Sequence, residues 1–210
     1  MSSIDVRKIL VALMFVSAMV IPVTQTWSQE MCEAPVWNVG DKWVFDQGTV
    51  EVVGGDEKSF TVKFSGDTLL VEEATVIFER STFKITQILE GKREQKYRGP
   101  RDSILNFPLN PGKTWKGKFV GKRRGAAVGE SEAQGFENFQ VLGWEDVEVK
   151  AGKFKTVKLE YKQEVMAGGR TLFEVSAWYW YSPDVKYLVK WEGAKRFQFR
   201  WELVSFDLKK

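Results

Sequence analysis

From Trp43 to Leu208 apolar and polar residues alternate with period two, and the apolar positions are rich in β-branched and aromatic side chains. Almost nothing after residue 30 repeats every 3.6 residues, so the chain builds sheet rather than helix. Candidate strands lie at 42–53, 57–64, 68–80, 82–90, 92–98, 113–120, 135–149, 153–165, 170–182, 186–192 and 195–208, and only Arg101 to Phe107 allows a helical turn. The connections between them are short, which requires antiparallel neighbours, because a parallel pair needs a crossover of about a dozen residues or more. The expected fold is all-β: a single strongly curved antiparallel sheet of about ten or eleven strands, half-barrel or barrel-like.

The turns carry their own chemistry. In Asn110-Pro111-Gly112-Lys113 proline presets the first central residue and glycine accepts the positive φ of the second, a type II turn. Lys150-Ala151-Gly152-Lys153 separates two alternating runs and predicts a hairpin between 135–149 and 153–165. Gly54-Gly55-Asp56, Ala167-Gly168-Gly169 and Ser182-Pro183-Asp184 punctuate the chain in the same way.

Strand parity identifies the buried face. Val157, Leu159, Tyr161 and Val165 alternate with Lys158, Glu160, Lys162 and Glu164, so the odd positions face the core. Tyr187, Val189 and Trp191 repeat the pattern, as do Phe197, Phe199, Trp201 and Leu203. The apolar set then moves to Val204, Phe206 and Leu208, and this change of parity predicts a β-bulge near 203 and 204.

The first residues differ from the rest. Arg7 and Lys8 precede a stretch from Ile9 to Val23 whose one polar residue is Ser17. That run is too short for a membrane span of about 20 residues, and Thr26 and Ser28 are the small residues of a cleavage site. The expected organisation is a signal peptide at 1–28 cut near Ser28, a flexible mature N-terminus at 29–36 and a single β domain at 37–210. The mature protein is then exported, periplasmic or secreted, with no integral membrane span. Cys32 is read as a lone free thiol, with lipid modification as the alternative.

Composition removes whole classes of chemistry. With no His there is no Ser-His-Asp triad, Cys-His dyad or His-based zinc site, and with one Cys there is no intramolecular disulfide and no four-thiolate metal site. A net charge of +3 does not argue for nucleic acid. Paired carboxylates are the remaining acid–base chemistry, but Glu72-Glu73 and Glu145-Asp146 are adjacent and point to opposite faces. Asp146 and Glu148 share a face and, beside Lys150 and Lys153, read as an exposed charge ladder. Gly54-Gly55-Asp56-Glu57 allows an oxygen-ligated calcium site or a plain turn. We therefore expect no enzyme, no cofactor and no metal.

Two groups remain as binding candidates. Lys122, Arg123 and Arg124 form a basic loop tip, with Lys92-Arg93 and Lys96 to Arg98 as a second cluster, for anionic headgroups or polymers, or simply solvated. In the run Trp178-Tyr179-Trp180-Tyr181, the two tyrosines point inward, and Trp178 and Trp180 emerge on the other face, either covered by neighbouring chain or as one apolar platform.

Trp37-Asn38-Val39-Gly40-Asp41-Lys42-Trp43, Pro108-Leu109-Asn110-Pro111-Gly112-Lys113-Thr114-Trp115, Val147-Glu148-Val149-Lys150-Ala151-Gly152-Lys153-Phe154 and the run from Trp180 to Lys190 resemble bacterial exported β-proteins of unknown function. The resemblance spans most of residues 37–192. It implies a curved antiparallel sheet similar to the half-barrels that carry lipoproteins between bacterial membranes, and it transfers no catalytic residues. The leading expectation is non-catalytic binding of an apolar or amphipathic, lipid-like small molecule by Tyr161, Tyr187, Trp191, Phe197, Phe199 and Trp201, with Trp178 and Trp180 as a second patch. The alternatives are a structural or protein-interaction component of the cell envelope, and a carbohydrate-binding protein or carboxylate-based hydrolase.

Overall fold

The computed structural model describes residues 31–66, 73–90, 93–95, 102–125, 129–194 and 199–210. Among these there are twelve strands and no helix, hence no helix able to cross a membrane. The strands are Lys42–Phe45 (β1), Gly48–Gly55 (β2), Ser59–Gly66 (β3), Glu73–Glu79 (β4), Ile85–Glu90 (β5), Arg93–Gln95 (β6), Thr114–Gly125 (β7), Gly129–Val149 (β8), Gly152–Ala167 (β9), Arg170–Ser182 (β10), Tyr187–Gly193 (β11) and Arg200–Asp207 (β12). They form one antiparallel sheet in the order β6-β5-β4-β3-β2-β1-β12-β11-β10-β9-β8-β7. Its edges are β6 and β7, so the sheet is open, as expected of a half-barrel.

The curl is visible in contacts that leap over strands. The turn between β8 and β9 lies against β12: the Ala151 N–H donates to the Leu203 carbonyl at 2.9 Å. Lys150 reaches Glu202 at 3.2 Å and Asp46 at 3.4 Å. The bend is made within β12. Its residues 200–202 pair with β11, while 203–207 pair with β1, where Phe45 faces Leu203 and Val44 faces Ser205. Val204 is the extra residue, which is the bulge that the parity change predicts.

Two expectations need correction. The run 42–53 is two strands, because the chain reverses at Asp46 and Gln47 and sets Phe45 opposite Gly48. No helical turn forms over the described part of 101–107; residues 102–113 instead cross the inner face as irregular chain. The two turns hold as read: Gly112 has φ +85° with the Lys113 N–H on the Asn110 carbonyl at 3.0 Å, and Val149 pairs with Gly152.

The core lies on the inner face. Trp43, Val50, Val62, Phe64, Val157, Leu159 and Leu203 are buried there, each contributing about 1.5–3 kcal/mol of transfer free energy. Residues 31–41 and 102–113 are packed on them. Cys32, inside the stretch 29–36, is buried, and its backbone exchanges two hydrogen bonds with Leu109, at 2.8 and 3.2 Å. Trp37 donates its indole N–H to Lys186 O at 2.8 Å, and Trp43 donates to Val185 O at 2.6 Å. Thus the segment 37–43 grips the turn between β10 and β11, and two of the four resemblance motifs serve each other.

Candidate functional site

One aromatic ring comes from each of seven adjacent strands on the inner face. Trp115 of β7 stacks on Phe139 of β8 at 5.0 Å between centroids, and Phe139 meets Tyr161 of β9 at 5.2 Å. Tyr161 then meets Tyr179 of β10 at 6.1 Å, Tyr179 meets Trp191 of β11 at 6.3 Å, and Trp191 stacks on Trp201 of β12 at 6.5 Å. Phe45 of β1 closes the row at 4.5 Å from Trp201. Register builds the row, since Tyr161 is paired with Phe139, Tyr179 with Trp191, and Trp191 with Trp201. Each contact is worth about 0.5–1.5 kcal/mol beyond burial.

The row passes from a sealed end to an open one. Phe45 and Trp201 are buried and lead to Tyr187, which stacks on Trp43 at 4.7 Å. Trp115, Tyr161, Tyr179 and Trp191 are only half-buried. Beyond Tyr161, β9 and β10 run on, and Phe173, paired with Val165, is 47% exposed; Phe199 is 50% exposed. Of the inward residues expected to bind a ligand, Tyr161, Trp191 and Phe199 therefore stand at the open end. Tyr187 and Trp201 are core, and Phe197 lies outside the described residues.

Sequence reasoning missed Glu137. On β8 the inward positions read Ala133, Gly135, Glu137, Phe139 and Val141, and a carboxylate at core parity was the available signal. Glu137 is buried and accepts the Tyr161 hydroxyl hydrogen bond at 2.8 Å. Gly117 makes room for it, because a Cβ there would lie 2.9 Å from the Glu137 Oε2. A buried carboxylate tied to a phenol is the type of polar group that orients a ligand in an apolar site.

Trp178 and Trp180 separate on the outer face. Trp180 is 4% exposed, roofed by the ammonium groups of Lys158 and Lys190 at 4.9 and 4.5 Å from its ring, and its N–H donates to Glu145 Oε1. Trp178 is half-buried and packs against the buried cluster. The continuous two-indole platform therefore does not form.

The remaining candidates fall on defined elements of the sheet and its turns. Lys122, Arg123 and Arg124 are not a loop tip: they lie in β7, paired with Glu132, Ser131 and Glu130, because the hairpin extends past the glycines. Arg93 is in β6, whereas Lys92 and 96–98 lie outside the described residues. Asp146 and Glu148 are exposed as expected, and Glu148 pairs with Lys153 at 3.4 Å. Asp56 accepts hydrogen bonds from Lys58 N, Ser59 N and Ser59 Oγ at 2.7–2.9 Å, which hold its carboxyl below the usual range and make it a turn cap. Among the described residues no three ligand-type side chains cluster.

Burial pushes the hydroxyls of Tyr181 and Tyr187 well above the ordinary tyrosine range. A raised pKa in the folded state means that the stability these groups provide is complete below their unfolded value of about 10 and is lost as pH rises beyond it. Urea midpoints should therefore fall between about pH 10 and pH 11.5, and the Tyr181→Phe/Tyr187→Phe variant should fall less steeply. An equal slope in both proteins would assign alkaline unfolding to other groups.

No family model and no curated protein matches the sequence. Among solved structures, the chain is similar to a Bacteroides fragilis protein described as exported, with 14% identity, a TM-score of 0.50, and coverage of 85% of this chain and 100% of that one. It is also similar to a Parabacteroides distasonis protein described as a lipoprotein, with 14% identity, a TM-score of 0.40 and the same coverages. The hypothetical lipoprotein YmcC of Escherichia coli K12 follows at 9% identity and a TM-score of 0.40, covering 81% of this chain and 84% of its own. The Bacteroides fragilis protein is described as having a YmcC-like fold, and the open, curled antiparallel sheet of this chain is similar to it in fold.

Proposed function

We propose that this is a non-catalytic exported binding protein that holds an apolar or amphipathic, lipid-like molecule at the open end of its inner face. The observation that carries the reading is the aromatic row, sealed at Phe45 and Trp201, half-buried at Trp191, Tyr179, Tyr161 and Trp115 around a buried Phe139, with Phe173 and Phe199 exposed beyond it. Unsealed aromatic surface next to a buried polar anchor, Glu137 with Tyr161, suits an acyl chain with a hydrogen-bonding head. Export rests on the leader-like residues 1–28 and agrees with the descriptions of the structural neighbours. Titration with dansyl-labelled undecanoic acid should give saturable one-to-one binding. Tyr179→Ala and the surface variant Phe173→Ser should each weaken it about tenfold. No uptake by the wild-type protein, or uptake that both variants leave unchanged, would overturn the reading.

A structural or protein-interaction role in the envelope is favoured by a different observation. Residues 31–41 and 102–113 already fill the inner face at the sealed end, with Leu105 and Leu109 buried there.

A further inference from the structure

The outer face of β7–β10 carries a groove with chemistry unlike that of the aromatic row. Its volume is about 250 Å³, and the side chains turned to the outer face fall into two cross-strand rows. Thr114, Gln140 and Glu160 are register partners in the first, and Lys116, Asn138 and Lys162 in the second. Trp178 extends the first row by one strand, paired with Glu160, and Ser176 extends the second, paired with Lys162.

These residue types limit what can occupy the groove. Thr114, Gln140 and Asn138 are neutral and offer both donors and acceptors. Glu160 and Lys162 neutralise each other at 2.9 Å, which leaves Lys116 as the one further cation lining the groove, a single exposed charge rather than a concentrated anion site. An acyl chain would leave the two amides without partners, at a cost that polar burial always carries. A hydroxylated ring satisfies them. Trp178 supplies the complementary element, because an indole face is electron-rich and attracts the C–H face of a pyranose. Among the described residues its N–H donates to no partner. The neighbouring Trp180, on the same face, shows what a roofed indole looks like: two lysines and a carboxylate cover it. Trp178 is half-buried, packs against the core on one side, and stands one strand beyond Glu160, which lines the groove.

We infer that this groove is a saccharide site, independent of the inner-face site, which takes one N-acetylhexosamine unit of an oligosaccharide. The pyranose would lie against Trp178, and the acetamido group would exchange hydrogen bonds with Gln140 and Asn138. The acetamido group has one N–H donor and one carbonyl acceptor, and the planar carboxamides of Gln140 and Asn138 offer an acceptor and N–H donors to meet them.

Calorimetric titration of the whole protein with tri-N-acetylchitotriose tests the assignment. Saturable binding is expected, weakened about tenfold or more in Trp178→Ala and similarly in Gln140→Ala, an exposed position whose replacement leaves the fold intact. Binding of the dansyl fatty acid should be unchanged in Trp178→Ala, and chitotriose binding should be unchanged in Phe173→Ser, so the two sites succeed or fail separately. Absence of saturable binding, or binding that both groove variants leave unchanged, overturns the site. Equal affinity for cellotriose, which lacks the acetamido group, overturns the sugar class.

Discussion

Trp37→Ala should lose about 3–5 kcal/mol and lower the melting temperature by roughly 10 °C, the largest effect expected of any single substitution in this protein. Trp37 sits on irregular chain, yet its ring lies within 5.9 Å of five others, those of Trp43, Phe60, Phe78, Phe83 and Tyr187. Those partners come from β1, β3, β4, the turn after β4 and the start of β11. Removing one side chain therefore opens a void shared by both halves of the sheet, where no neighbour can relax into it. Trp37→Phe separates the ring from the indole N–H. It keeps most of the packing and strands the Lys186 carbonyl, so about 1–2 kcal/mol should be lost. Calorimetric melting of the two variants gives the comparison, and a loss below about 1 kcal/mol for the alanine variant would show that 31–41 does not complete the core.

Asp41→Ala should cost about 3 kcal/mol in urea unfolding. This carboxylate is fully buried, and instead of a cation it is met by two backbone donors, Asn38 N at 2.8 Å and Lys209 N at 2.7 Å. Asn38 Nδ2 donates in turn to Lys209 O at 2.8 Å, so the entry to β1 and the exit from β12 are tied by one side chain and its neighbour. Alanine leaves two donors without their acceptor, whereas Asp41→Asn retains one oxygen and should lose about half as much. Because one of the two donors belongs to residue 209 while Asn38 N remains, removing Lys209 and Lys210 should cut the cost of Asp41→Ala to about half. Strict additivity of the two changes would break the argument.

Much of this architecture was legible because period two is an unforgiving pattern. A single extra residue inverts every side chain after it, so the shift from Leu203 to Val204 announced the bulge at its true place. The same logic applies to the run 42–53, which is two strands. Trp43 and Phe45 are odd and Val50 and Val52 are even, a parity change that the tight reversal at Asp46 and Gln47 explains. Residues 102–113 were harder: Ser103, Leu105 and Leu109 are buried at odd positions without being a strand, since their backbone crosses the sheet rather than joining it. The site divided along the same line. Local alternation identified which rings point inward, but whether a ring is sealed depends on which strands lie beside it. Trp180 is covered by Lys158 and Lys190 from two neighbouring strands, and nothing within its own strand records that.

The position of β12 determines when the molecule can exist at all. The last of the twelve described strands lies in the interior of the sheet, between the first and the eleventh. Made in order, β1 to β6 and β7 to β11 can each zip as a local meander, fast because neighbours in sequence are neighbours in space. Until residues 200–207 arrive, however, each meander presents one unpaired interior edge, β1 on one and β11 on the other, both lined with aromatic side chains. Among the described strands, joining them is the pairing of highest sequence separation, with Lys42 meeting Asp207. The folding rate should therefore be set by the docking of β12, and a chain halted before it should aggregate through those two edges rather than persist as a smaller folded form.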